Sequence, residues 1–109
     1  MEEIKKFYSD IRENEAVIIL DQKDFNTFSS NVNVITLEEC QDYNEWLKRK
    51  VVKAKNLIIC AFLPKDTSTI NLVDWISNIL SIFESVKKYK FGVYINKNIK
   101  NNQITLIFE

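Results

Sequence analysis

Six consecutive apolar residues, Leu57-Ile58-Ile59-Cys60-Ala61-Phe62, constrain this chain more than any other feature of it. A strand with one wet face alternates polar and apolar side chains. An unbroken apolar run of strand length is the pattern of a strand buried on both faces. The run lies between two segments of helical periodicity. Before it, Tyr43, Trp46, Leu47, Val51 and Ala54 mark one helical face. After it, Pro64-Lys65-Asp66 breaks the chain, and Thr67, Ser68 and Thr69 offer caps for a long helix over about 69–88. A helix lying between two strands suggests a right-handed crossover.

The remaining segments complete the order. Ile4, Phe7, Tyr8 and Ile11 stand at i, i+3, i+4 and i+7, which predicts a short amphipathic helix. Ala16–Leu20 and Val32–Ile35 read as strands, with Phe25 and Phe28 pinning the irregular stretch between them to the core. Thr36-Leu37-Glu38-Glu39 has the form of a capping box, and Asp42-Tyr43-Asn44-Glu45 competes with it as the start of the next helix. Phe91–Ile95 and Gln103–Phe108 read as a terminal hairpin, with asparagines between them supplying left-handed turn conformations. With 109 residues, 46% of them apolar, the chain has the length of one core. The expected fold is a single two-layer α/β domain in the order α-β-β-α-β-α-β-β, a mixed sheet with helices packed on it. Residues 1–31 form an N-terminal helix and strand extension to a core at 32–109.

The long helix carries more apolar surface than a sheet requires. At ~100° per residue, Trp75, Ile82, Val86, Ile79, Leu72, Phe83, Ile76, Leu80 and Val73 span about 180°, whereas resting on one sheet face takes a stripe of only about 100°. The surplus around Trp75, Ile82 and Val86 must meet either the N-terminal helix or a second copy of the chain. A twofold contact is the commonest way to bury such a surplus. A homodimer interface at Trp75, Ile79, Ile82 and Val86 is therefore expected.

Much chemistry is excluded by what the chain lacks. It has no histidine and one glycine, so the usual proton shuttle and a glycine-rich phosphate cradle are both missing. No C-x-x-C or G-x-S-x-G occurs, and no catalytic residue, metal ligand or cofactor is assigned. Asp21-Gln22-Lys23-Asp24 lacks the glycine and terminal glutamate of a calcium loop. Asp21 and Lys23, with Asp10 or Glu13 as partner carboxylate, provide the one catalytic alternative, a minimal magnesium-dependent nuclease. Cys40 and Cys60 sit apart beside apolar neighbours and read as buried free thiols. No apolar run reaches the ~20 residues of a membrane span, and Met1-Glu2-Glu3 lacks a basic signal region, so a cytoplasmic location is expected with at most peripheral membrane contact.

Fifteen basic residues balance fifteen acidic ones, which argues against a nucleic-acid binder living on phosphate attraction. The balance conceals an asymmetry. Through Trp46 there are eleven acids and four bases, a charge of −7; from Leu47 onward there are four acids and eleven bases, +7. If folding keeps the halves apart, a basic end results; if they interleave, they neutralise one another. Lys48, Arg49, Lys87 and Lys88 are the candidate partner-binding cations.

One stretch resembles a known family. Val32-Asn33-Val34-Ile35-Thr36 opens a helix that ends in a Lys/Arg-rich turn, and the strand Leu57–Ala61 follows. Leu72-Val73-Asp74-Trp75-Ile76-Ser77 then begins the second core helix, ahead of a terminal pair of strands. Over residues 32–109 this resembles the core of the SepF cell-division proteins. The resemblance implies a non-enzymatic, dimerising adaptor that binds the acidic tail of the tubulin-like FtsZ, and it places Asp74, Trp75 and Ser77 on the dimer helix. Asn78 stands where the family has a glycine, and Ile4–Leu20 reads as folded where the family carries a membrane anchor and linker. The functional expectation is a non-catalytic homodimeric interaction module. The alternative of the same binding class is an immunity protein, antitoxin or phage-encoded inhibitor.

Overall fold

In the computed structural model, which describes residues 2–28, 32–38, 43–86 and 88–109, the apolar run becomes the middle strand of a five-stranded sheet. The elements are α1 (Glu2–Ile11), β1 (Glu15–Ile18), α2 (Gln22–Phe25), β2 (Asn33–Glu38), α3 (Glu45–Val52), β3 (Leu57–Leu63), α4 (Thr69–Ile82), β4 (Lys90–Ile95) and β5 (Gln103–Phe108). The strands lie in the order β1-β4-β3-β5-β2. Only β3 and β4 run parallel, joined through α4; the pairs β1–β4, β3–β5 and β2–β5 are antiparallel. All seven residues of β3 are buried, as an uninterrupted apolar strand at the centre of a covered sheet must be.

Alternation along β3 divides the core. Leu57, Ile59, Ala61 and Leu63 face α3 and α4, where Leu47, Val51, Ile79 and Phe83 meet Val93, Ile104, Leu106 and Phe108. Ile58, Cys60 and Phe62 face the other way, onto Ile4 and Ile11 of α1 and onto Leu20, Phe25 and Phe28. This is the expected mixed sheet with helices packed on it, in the expected order with the one-turn α2 added. The helices divide between both faces, so α1 and α2 add a layer to the two anticipated. Phe25 and Phe28 do pin their stretch, each being buried, and Phe25 packs with Phe7 and Tyr8 of α1 at ring-centroid distances of 6.1 and 5.1 Å.

Several local expectations are corrected. Phe91–Ile95 and Gln103–Phe108 are not a hairpin, because β3 lies between β4 and β5 and pairs with both. A strand that is apolar on both faces needs a neighbour on each side. Residues 96–102 are long enough to cross its end, where the Asn96 amide donates to the Leu63 carbonyl at 2.8 Å. Thr36 does not cap a helix: it extends β2, and its hydroxyl lies 3.0 Å from that of Thr105, the partner of a buried polar side chain. The cap of α3 is Asn44, within the competing Asp42–Glu45 segment, and its Oδ1 accepts from the Leu47 amide at 2.9 Å; Glu39 and Asp42 lie outside the described residues. Trp46 does not join the buried face of α3 but is 54% exposed, with the Lys50 ammonium 4.3 Å from its ring centroid. The long helix ends at Ile82 rather than near residue 88, and Ser68 caps it by accepting from the Asn71 amide.

Candidate functional site

Two surfaces stand out, one apolar and one charged. The apolar one belongs to α4. Of the four residues expected at a dimer interface, Ile79 is 0% exposed and Val86 9%, both committed to the chain's own core. Trp75 and Ile82 are half-buried against the same core. The helix docks with Ile79 and Phe83 toward the sheet, so its apolar surplus emerges elsewhere. At ~100° per residue Val73 stands ~120° and Ile70 ~180° from Ile79. Their exposures are 56% and 76%. The wide arc is legible in the sequence; the direction in which it docks is not, because nine apolar positions do not say which of them is central.

A second set of open apolar residues sits at the end of β1, an edge strand, and on the residue after it. Val17, Ile18 and Ile19 are all exposed, Ile19 at 71%, and β1 pairs on one side only, with β4. Edge strands usually carry charges or prolines that discourage further pairing. Here Glu15 is the one charge within the strand.

The charged surface is a cleft of about 820 Å³ at the end of the sheet where β3 and β4 begin. Three connections build it: α2 supplies Lys23 and Asp24 just after Asp21, the α3–β3 turn supplies Lys55 and Asn56, and the approach to β4 supplies Lys88, Tyr89 and Lys90. The walls are tied together. Asn56 Nδ2 donates to the Thr27 carbonyl at 3.1 Å, the Lys55 amide to the Glu109 carbonyl at 2.8 Å, and the Glu109 amide to the Asn56 carbonyl at 3.1 Å. Asp24 Oδ2 accepts from the Asp21 amide at 2.9 Å, and its other oxygen lies 3.9 Å from the Lys90 ammonium. Acids of the first half of the chain thus meet bases of the second, so the −7 and +7 halves interleave here.

The predicted cations are scattered. Lys48 and Arg49 are exposed on α3, Lys88 lines the cleft, and Lys87 lies outside the described residues. Asp21 and Lys23, the proposed nuclease pair, flank the start of α2 and line the same cleft. Among the described residues no group of three or more Cys, Asp or Glu side chains is placed to hold a metal ion. No helix among them is long and apolar enough to cross a membrane. Cys60 is a buried free thiol whose pKa burial pushes well up, so it stays protonated; Cys40 lies outside the described residues.

No family model and no curated protein matches the sequence. Among solved structures, the chain is similar to FtsZ of M. jannaschii in a structure described as an empty FtsZ dimer, with a TM-score of 0.53 and 14% identity over 86% of this chain. A single-substitution mutant of the same protein matches with a TM-score of 0.47, also at 14% identity and 86% coverage. The chain spans 32% of either FtsZ chain, about a third of its length. At this identity the likeness is one of fold alone.

Proposed function

We propose that the chain is a non-catalytic interaction module that forms a homodimer through the outer flank of α4 and acts as a division adaptor of the SepF kind, engaging an acidic FtsZ-like tail. The observation that carries the reading is the exposure of Ile70 and Val73, 76% and 56%, on a helix whose opposite face already fills the core. Two branched aliphatic side chains held in water on adjacent turns are worth about 1.5–3 kcal/mol each if a partner encloses them. A second copy encloses both sets at once. Support from the comparison is a fold shared with FtsZ, in a structure described as a dimer. The exposed Lys48 and Arg49 of α3 supply positive charge for an acidic tail.

Light scattering of the purified chain tests the dimer. The expected result is twice the 12.9 kDa mass, reduced to one copy in the I70K/V73K variant with its fold intact. Both positions lie outside the core, so this variant isolates association from folding. A wild-type monomer, or a variant that remains a dimer, overturns the reading. Fluorescence anisotropy with an acidic peptide tests the tail: binding should weaken in K48E/R49E, and a peptide that does not bind removes the adaptor role.

A further inference from the structure

The geometry points to a binding site for a small organic phosphate in the lysine-lined cleft, a site independent of the α4 interface. Four lysines, Lys23, Lys55, Lys88 and Lys90, face two aspartates, Asp21 and Asp24, which leaves +2. These lysines come from three separate connections, so folding gathers like charges that the extended chain keeps far apart. Such convergence opposes folding, and a concave site focuses the resulting potential on any anion that enters. Asp24 offsets part of it, its carboxylate lying 3.9 Å from the Lys90 ammonium, and the excess rests on the remaining lysines.

The chemistry of the lining narrows the ligand. Lysine ammoniums are point charges without the planar fork by which arginine grips a carboxylate, and a cleft lined by several of them suits the three oxygens of a phosphate monoester. A dianion matches the +2 of the lining. The cleft also has an apolar portion: the buried Phe28, Leu57 and Ile58 and the half-buried Tyr89 are among the residues that line it. A volume of about 820 Å³ exceeds what an inorganic ion needs and falls in the range of sites for small organic molecules. The backbone clasp between Asn56 and Glu109 and the Asn56–Thr27 bond hold this shape before anything binds. The site is therefore made for a phosphate on an apolar or aromatic body.

Calorimetric titration of the full chain with phenyl phosphate at low salt is the test, paired with amide chemical shifts of Lys55, Asn56 and Tyr89. Saturable binding is expected, weakened about tenfold for each lysine lost in K55Q and K88Q. Inorganic phosphate should bind more weakly than phenyl phosphate. The control K65Q/K97Q, at the opposite end of the sheet, should bind as wild type does. Absence of saturable binding overturns the proposal, as does equal weakening by the control pair. Equal affinity for inorganic phosphate overturns the organic body. An oligoglutamate peptide that shifts these amides where phenyl phosphate does not would reassign the cleft to an acidic chain and overturn it too.

Discussion

The Tyr94 hydroxyl accepts a 2.8 Å hydrogen bond from the backbone amide of Leu20, a contact between residues 74 positions apart in the chain. Leu20 follows β1 and is buried, so its amide has no recourse to water. The bond anchors the N-terminal extension to the sheet in addition to the ladder between β1 and β4. Burial raises the phenol's pKa, with the Leu20 bond pulling the other way as a smaller effect.

Tyr94→Phe keeps the ring and removes only this acceptor. The Leu20 amide is left buried and unpaired, which costs about 1–3 kcal/mol. Urea unfolding should show the midpoint falling with an unchanged slope. A loss well below 1 kcal/mol would mean that the segment around Leu20 opens to water and that the anchoring lies elsewhere.

Leu20 also explains the single glycine. A Cβ at Gly92 would stand 2.5 Å from Leu20 Cγ and 2.6 Å from its Cδ1, closer than carbon atoms approach. Gly92→Ala should cost about 1–3 kcal/mol by overpacking. Leu20→Ala should cost about 2–5 kcal/mol as a cavity. Combined, the added methyl has room, and the double variant should be more stable than the sum of the two losses by at least ~1 kcal/mol. Strict additivity in a double-mutant cycle would contradict the contact.

How far the sequence revealed this arrangement depends on the kind of signal. Pattern and length gave the type of most elements: the spacing of Ile4, Phe7, Tyr8 and Ile11 marks a helix, and the short, isoleucine-rich Leu57–Phe62 run ahead of Pro64 marks a strand where periodicity alone would not decide. Pairing partners were less legible. The Phe91–Ile95 and Gln103–Phe108 segments are adjacent in the chain, yet each needs β3 more than it needs the other. Local caps misled as well: Thr36 has a box-like context, but its hydroxyl serves Thr105 across the sheet, a partner 69 residues away. The lysine cleft was invisible for the same reason, because Lys23, Lys55 and Lys88 converge only through topology. A count of charges along the chain shows an imbalance without showing where it lands.

Stability should decline in alkali. Burial raises the pKa of Cys60 from the ordinary 9.0 and that of Tyr94 from the ordinary 10.0. The folded state therefore keeps protons that the unfolded chain releases, and folding is favoured fully only below the unfolded values. The loss begins near pH 9 with the thiol, deepens from about pH 10 with the phenol, and continues as pH rises toward the folded values. Urea midpoints measured across this window should fall, and Cys60→Ala should remove the earlier part of the slope. A flat profile in the wild type would mean that neither group is enclosed as described.

The two sides of α4 should answer mutation differently. Ile79 is fully buried between the helix and the sheet, packed in the cluster that holds Phe83, Leu106 and Val93. Ile79→Ala should cost about 2–5 kcal/mol, because the lost methylenes leave a cavity that rigid strands cannot close. Ile70 touches no core, so Ile70→Ala leaves no cavity, and alanine is the better helix former. In dilute protein, where subunits are apart, its effect should stay within about 0.5 kcal/mol. With the proposed dimer, the wild type should gain apparent stability at higher concentration, and Ile70→Ala should gain less. Thermal melts over a hundredfold range of concentration separate these contributions. A midpoint that is independent of concentration in both proteins would leave Ile70 and Val73 as solvent-exposed residues without a partner of their own kind, while the cost at Ile79 would stand unchanged.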